Sequence, residues 1–114
     1  MNLDQLKSVV VEGLEDIKAI DIRVIDVSQL TDVADYLVIA SGSSARQVKA
    51  LANSVREKCR EQDERPIGTE GEDQGEWVLL DYGAVVVHIM LPETREFYDL
   101  ERLWEMAASN RLQE

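Results

Sequence analysis

Residues 77–90 read Trp-Val-Leu-Leu-Asp-Tyr-Gly-Ala-Val-Val-Val-His-Ile-Met, which is two short apolar runs on either side of a Tyr-Gly pair. Runs rich in β-branched and large apolar residues around a glycine are typical of a β-hairpin. We predict strands over residues 77–81 and 84–90, joined by Tyr82 and Gly83 as a two-residue turn. The fold therefore contains antiparallel β-structure.

The predicted turn also decides which side chains share a face of this hairpin. It pairs Asp81 with Ala84, Leu79 with Val86, and Trp77 with His88. One face is then entirely aliphatic and is predicted to be core: Val78, Leu80, Val85, Val87 and Ile89. The opposite face mixes aromatic, aliphatic and polar groups, which is typical of a surface that a partner covers: Trp77, Leu79, Asp81 and His88.

Upstream of the hairpin, a dense apolar run at residues 36–40 ends in Ser41-Gly42-Ser43-Ser44. This pattern predicts a central strand, a turn and a helix N-cap. A helix follows over residues 45–62, because apolar side chains recur there at helical spacing: Val48, Leu51, Ala52, Val55 and Cys59. The sequence Arg65-Pro66 stops this helix.

Both ends of the chain have helical patterns. Apolar residues from Leu3 to Ile17 predict an N-terminal helix with Asn2 as N-cap, and alternation over residues 20–27 predicts a strand after it. After Thr94 as cap, we predict a single C-terminal helix with Phe97, Leu100 and Trp104 in its core stripe and Tyr98 and Met106 elsewhere. Residues 105–114 are expected to be a frayed tail.

Residues 61–76 contain seven acids and one base, a net charge of −6, and are predicted to be a solvated linker with one short strand near Ile67. The element order is α-β-β-α-(β)-β-β-α. This order predicts an α/β (α+β) fold in which a mixed sheet is packed with helices. A chain of 114 residues and 12.9 kDa, 45% of it hydrophobic, is expected to be one domain over residues 1–114.

The net charge of −11 argues against a protein that wraps nucleic acid over its whole surface, so no DNA partner is expected. The single cysteine excludes an intrachain disulfide and fits a reducing compartment. No apolar run approaches the roughly 20 residues of a membrane helix. The acidic N-terminus lacks the basic start of a leader peptide, so we expect a bacterial cytoplasmic protein.

Residue types that support catalysis are present but are badly placed for it. His88, the only histidine, lies inside an apolar strand, and Cys59 lies on the apolar stripe of a helix. Gly42-Ser43 after a strand resembles a phosphate-binding turn, but the chain has no Asp-x-Asp pair to hold magnesium. The acidic residues 70–73 lack the EF-hand spacing. We therefore expect no catalytic residue, metal or cofactor.

A basic strip stands out on the predicted middle helix. Its members fall within about 80° of one another at 100° per residue: Arg46, Lys49, Asn53, Arg56 and Arg60. One interpretation is a solvated face that balances the neighbouring acidic linker. The other is a secondary contact with RNA or an acidic partner through Arg46, Lys49, Arg56 and Arg60.

Four segments in order resemble the ribosomal silencing factor RsfS family, also called Iojap: residues 34–48 (ADYLVIASGSSARQV), 75–83 (GEWVLLDYG), 85–90 (VVVHIM) and 95–104 (REFYDLERLW). The resemblance implies a nucleotidyltransferase-like fold without the active site. It also implies a non-enzymatic factor that binds ribosomal protein fourteen of the large subunit and blocks subunit joining under nutrient limitation. The net negative charge would repel rRNA and keep any contact with it minor. An exposed apolar patch at the hairpin and the C-terminal helix would let the free protein form a weak homodimer.

Carried over to this chain, the resemblance implies partner-binding positions at Trp77, Leu79, Asp81, Tyr82, His88, Tyr98, Leu100 and Glu101. Ala84 departs from the acidic residue that the family often has after this glycine. Two other classes remain open. A nucleotide-binding enzyme would show nucleotide affinity and metal dependence, and a dimeric scaffold would show tight self-association without binding ribosomes.

Overall fold

The computed structural model describes residues 1–113, and the side chains of residues 1–108. Its elements are α1 (Leu3–Asp16), β1 (Ile20–Asp26), β2 (Tyr36–Ser41), α2 (Ala45–Glu61), β3 (Gly68–Glu70), β4 (Trp77–Asp81), β5 (Val85–Met90), α3 (Pro92–Tyr98) and α4 (Leu100–Gln113). The five strands form one sheet in the order β1-β2-β5-β4-β3. Strands β2 and β5 are parallel, and the other neighbours are antiparallel. The predicted mixed sheet packed with helices is confirmed.

Helices α1 and α2 cover one face of the sheet and enclose the larger core. The predicted capping box of α1 is present, because Asn2 and Gln5 bond each other's backbone N–H groups. The predicted apolar stripe of α2 is fully buried: Val48, Leu51, Ala52, Val55 and Cys59. The aliphatic hairpin face packs against it, as predicted: Val78, Leu80, Val85, Val87 and Ile89.

The opposite face of the sheet has a smaller core, formed by Val27, Leu37, Ile39 and Met90. Leu100 and Trp104 of α4 pack on it, and so does Trp77 of β4. Further along the same face, Leu79 and Val86 are only half-buried. Part of this face is therefore open.

The hairpin turn lies one residue further along the chain than predicted. Tyr82 pairs with Val85 through a 2.9 Å backbone hydrogen bond, so Gly83 and Ala84 form the turn. Gly83 has a φ of +80°, a conformation that glycine adopts without strain at the first turn position. The strand register moves by two residues to Asp81↔Val86, Leu79↔His88 and Trp77↔Met90. A shift of two keeps every side chain on its predicted face.

The C-terminal region differs more from the prediction. There are two helices instead of one, because Asp99 has a left-handed φ of 48° between α3 and α4. The first begins at Pro92 after Leu91, not at a Thr94 cap, since proline is well suited to the first helical position. Where we expected a frayed tail, α4 continues to Gln113 through good helix formers such as Ala107. Residue 114 lies outside the described residues.

No described helix is long and apolar enough to cross a membrane.

Candidate partner-binding surface

Three aromatic side chains form a contiguous cluster at the end of the open sheet face. The rings of Trp77 and Tyr98 lie 4.7 Å apart between centroids, and Phe97 meets Tyr98 edge-on at 5.1 Å. Trp77 is half-buried, whereas Tyr98 is 53% exposed and Phe97 is 81% exposed. We call these three residues the aromatic cluster. Its base is packed on the sheet and its top faces solvent.

His88 on β5 supports the aromatic cluster from inside. The indole N–H of Trp77 donates a 2.9 Å hydrogen bond to Nδ1 of His88. The imidazole is buried, and this desolvation lowers the pKa of His88 to about 4. A neutral ring with an unprotonated Nδ1 is the form that accepts this hydrogen bond. His88 therefore fixes the position of Trp77 and is itself hidden from a partner.

Half-buried residues on β4 and β5 continue the surface away from α4. Leu79 and Val86 present aliphatic area there. Asp81 lies on the same face, and its carboxylate accepts a 2.8 Å hydrogen bond from the backbone N–H of Gly83. This part of the sheet offers apolar contact area beside one ordered carboxylate.

A buried arginine, Arg95, connects α3 to α4 and to the sheet. Arg95 of α3 bonds Glu101 of α4 through Nε at 2.8 Å and also donates to the Ser41 hydroxyl at 3.0 Å. The Glu101 side chain is only 16% exposed, and Arg23 of β1 lies 3.7 Å from it on the other side. The Glu101 carboxylate is thus held within the protein.

Seven of the eight partner-binding positions that the resemblance implies lie on or against one face of the sheet, but the side chains of His88 and Glu101 are engaged within the protein: Trp77, Leu79, Asp81, His88, Tyr98, Leu100 and Glu101. Tyr82 lies apart, in the larger core near Cys59, and its hydroxyl has no hydrogen-bond partner among the described residues. Burial raises the pKa of both the Tyr82 hydroxyl and the Cys59 thiol, which fits the inert core cysteine predicted from the sequence.

Sequence reasoning missed Phe97 and Arg95. The helical spacing predicts Phe97 in a core stripe, but the helix break at Asp99 turns α3 relative to α4 and leaves Phe97 exposed. The role of Arg95 had one available signal, a carboxylate at position 101 close along the chain. That signal is weak, because it depends on the break between the two residues.

On α2, the acidic segment folds against the basic strip. Arg56 forms a bidentate ion pair with Glu72, in which Nη2 of the arginine donates to Oε1 of the carboxylate at 2.9 Å. Arg56 also bonds Asn53, while Arg46 and Arg60 remain exposed. The arginine lowers the pKa of Glu72 below its usual range. This geometry favours the interpretation of a strip that balances the linker.

The Gly42-Ser43 turn is filled by the protein's own side chains. The Gln47 carboxamide oxygen accepts hydrogen bonds from the Ser43 backbone N–H and hydroxyl, and the Ser44 hydroxyl oxygen caps α2 by accepting from Gln47 N–H. A β-carbon on Gly42 would lie 2.9 Å from Val48 N, so this glycine serves close packing. Among the described residues, no three His, Cys, Asp or Glu side chains are grouped to hold a metal ion.

Comparison with known proteins gives consistent matches over almost the whole chain. The family model described as "Ribosomal silencing factor during starvation" matches residues 1–114. The chain is 49% identical over 104 residues to the ribosomal silencing factor RsfS of Chromobacterium violaceum, covering 91% of this chain and 85% of that one. The RsfS protein of Bacillus subtilis is 36% identical over 104 residues, with 91% and 88% covered.

A solved structure gives the same result. The crystal structure of a Chromobacterium violaceum protein superposes with a TM-score of 0.90 at 48% identity, covering 92% of this chain and 88% of that chain. The match to the family model extends over residues 1–114 and so includes every element of the candidate surface. This chain belongs to the RsfS family of ribosomal silencing factors, which are regulators of translation.

Proposed function

We propose that this protein silences ribosomes by binding ribosomal protein fourteen of the large subunit and blocking the joining of the small subunit. It acts in the bacterial cytoplasm, as a binding protein and not as an enzyme, when nutrients are scarce. Family membership supports ribosome silencing in general. The observation that carries the finer proposal is the aromatic cluster. Its exposed rings are those of Phe97 and Tyr98. Tyr98 packs on Trp77, which is itself held by His88.

Burial of this cluster by a partner supplies the main binding energy. Phe97 and Tyr98 present large apolar area to solvent, and Tyr98 is held in place by Trp77. Aromatic anchors that are ordered before binding lose little side-chain entropy on association, which is why they dominate many interfaces. Leu79 and Val86 extend the contact along the sheet.

Charge supports the choice of partner and the blocking mechanism. The net charge of −11 attracts basic ribosomal proteins over long range and speeds their encounter. The same charge repels rRNA, so we restrict any rRNA contact to a minor one at Arg46, Lys49 and Arg60. Once bound, the bulk and the negative charge of the protein oppose the approach of the small subunit.

Binding of purified ribosomal protein fourteen to single-residue variants tests this proposal. We expect Phe97→Ala and Tyr98→Ala each to weaken binding about tenfold or more. The matched control is Val24→Ala, which removes an apolar side chain that is 42% exposed on β1. Val24 pairs with Val38 of the larger core and thus lies on the opposite sheet face. Equal affinity of all three variants and the wild type would contradict the proposed surface.

The free protein is also proposed to self-associate weakly through the same region. Phe97, Leu103 and Met106 are 81%, 61% and 54% exposed, an unusual amount of large apolar area for a small protein. A homodimer that covers this area would compete with ribosomal protein fourteen. Sedimentation equilibrium should then show a dimer that dissociates when the partner is added, and a strictly monomeric protein at high concentration would exclude it.

A further inference from the structure

We propose that Arg95 is a positioning residue for the partner-binding surface: it locks α3 and α4 at a fixed angle and so keeps Tyr98 against Trp77. This inference rests on the proposed function, because it assigns a role in binding to a residue that does not face the partner. The same argument gives Glu101 an internal role in place of the partner contact that the sequence resemblance implies.

The guanidinium of Arg95 joins three parts of the fold. Its Nε and one terminal nitrogen donate to the two carboxylate oxygens of Glu101 on α4, at 2.8 and 3.3 Å. Its other terminal nitrogen donates to the hydroxyl of Ser41 on β2 at 3.0 Å and to the carbonyl oxygen of Ile20 on β1 at 3.3 Å. The planar fork of arginine makes all these bonds in one fixed orientation.

The need for such a lock comes from the break between the helices. Asp99 alone separates α3 from α4, and its left-handed φ of 48° is uncommon for a residue other than glycine. The direction of α4 relative to α3 depends on the φ and ψ torsions of this one residue. Arg95 lies before the joint and Glu101 lies after it, so their ion pair spans the joint directly. Tyr98 is the last residue of α3, next to this joint.

Burial strengthens the attraction between Arg95 and Glu101. The side chains of Arg95 and Glu101 are 10% and 16% exposed, so water screens their attraction little. Arg23 approaches the same carboxylate at 3.7 Å and also bonds Glu105 one turn further along α4. Glu101 therefore lies between two guanidinium groups and is not free to contact a partner.

A double-mutant cycle tests the inference. The variants are Arg95→Met, Glu101→Gln and the double variant, with Arg102→Met as control because Arg102 is an exposed arginine on α4. The affinity for ribosomal protein fourteen is measured well below each variant's melting temperature, with near-UV circular dichroism as the readout of aromatic packing. We expect each single variant to bind about tenfold more weakly, the double variant no more weakly than either, and Arg102→Met to bind normally.

The outcomes separate this inference from the proposed function. Absence of binding by the wild type would overturn the proposed function, and the circular dichroism of the variants would still test whether the lock orders Tyr98 and Trp77. Normal affinity and an unchanged spectrum in Arg95→Met would overturn the inference alone, even with a lower melting temperature. Weaker binding by Glu101→Gln but not by Arg95→Met would also overturn it, because it would mean direct partner contact.

If Arg95→Met does not fold, Glu101→Gln still decides the question, because it keeps the shape of the side chain while it removes the charge and one of the two oxygens that accept from Arg95. An altered near-UV spectrum together with weaker binding supports the lock. An unchanged spectrum with unchanged binding overturns it.

Discussion

Trp77 and His88 are joined by a 2.9 Å hydrogen bond from the indole N–H to Nδ1, and the same Trp77 ring packs against Tyr98 at 4.7 Å. The exposed ring of Tyr98 is thus connected to the buried imidazole of His88 through a single intermediate ring, that of Trp77. We therefore expect His88 to influence binding only through the position of Trp77.

The first prediction concerns the hydrogen-bond acceptor. In His88→Leu the Trp77 N–H loses its partner, so the free energy of unfolding should fall by about 1–3 kcal/mol more than in His88→Asn, whose carboxamide oxygen can take the place of Nδ1. Both variants remove the ring, but only the asparagine side chain offers an acceptor to the Trp77 N–H. Urea unfolding measures the difference. Equal stability of the two variants would mean that the hydrogen bond contributes nothing measurable.

The second prediction is a pH dependence. Burial lowers the pKa of His88 from 6.5 to about 4 in the folded protein, so between these values the unfolded chain binds a proton that the folded protein does not. The stability that the folded protein gains by keeping His88 neutral is therefore complete above pH 6.5 and is lost as the pH falls towards 4. Between pH 7.5 and 5, the wild type should lose about 2 kcal/mol more stability than His88→Asn. Parallel pH profiles of the two proteins would refute this assignment.

The third prediction concerns the ion pair between Arg56 and Glu72. Their side chains are 24% and 42% exposed, so Glu72→Gln should lower stability by only about 0.2–1 kcal/mol, and 1 M salt should shrink the effect. Asp73→Asn removes the same charge from an exposed neighbouring position and is the control. Thermal unfolding of both variants at low and high salt checks this. An equal loss in both would point to the net charge of the segment instead of the pair.

The fourth prediction concerns Gly71, which directly follows β3. Gly71 has a φ of +79°, and a β-carbon there would lie 2.0 Å from the carbonyl oxygen of Trp77. Gly71→Ala should therefore destabilise the protein by at least about 2 kcal/mol. Gly68→Ala is the matched control, because nothing lies within 4 Å of its added carbon. Denaturant midpoints that fall equally in the two variants would contradict this reading of the turn.

Local patterns in the sequence predicted most of the fold. The capping residues of α1, the apolar stripe of α2 and the aliphatic hairpin face follow from periodicity and from side-chain chemistry within a few residues. The face assignment held even though the turn lies at Gly83-Ala84 instead of Tyr82-Gly83. Because side chains alternate along a strand, a register error of two residues leaves the faces unchanged.

The features that the sequence did not predict depend on distant contacts. The left-handed Asp99, the exposure of Phe97 and the internal role of Glu101 all follow from how α3 and α4 meet the sheet. Arg95 shows the reason, since its partners at Ile20 and Ser41 are 75 and 54 positions away along the chain. No local pattern reports such contacts. Tyr82 was likewise placed on the partner surface by resemblance, although it packs beside α2.

Sucrose-gradient sedimentation of the protein with separated ribosomal subunits is the most direct test of the central claim. The account predicts that the protein migrates with large subunits and not with small ones, that free ribosomal protein fourteen in excess removes it, and that loaded large subunits fail to join small ones. Tyr98→Ala should migrate with large subunits much less. Absence of the wild-type protein from the large-subunit fraction at moderate salt, or normal joining by loaded subunits, would contradict the account.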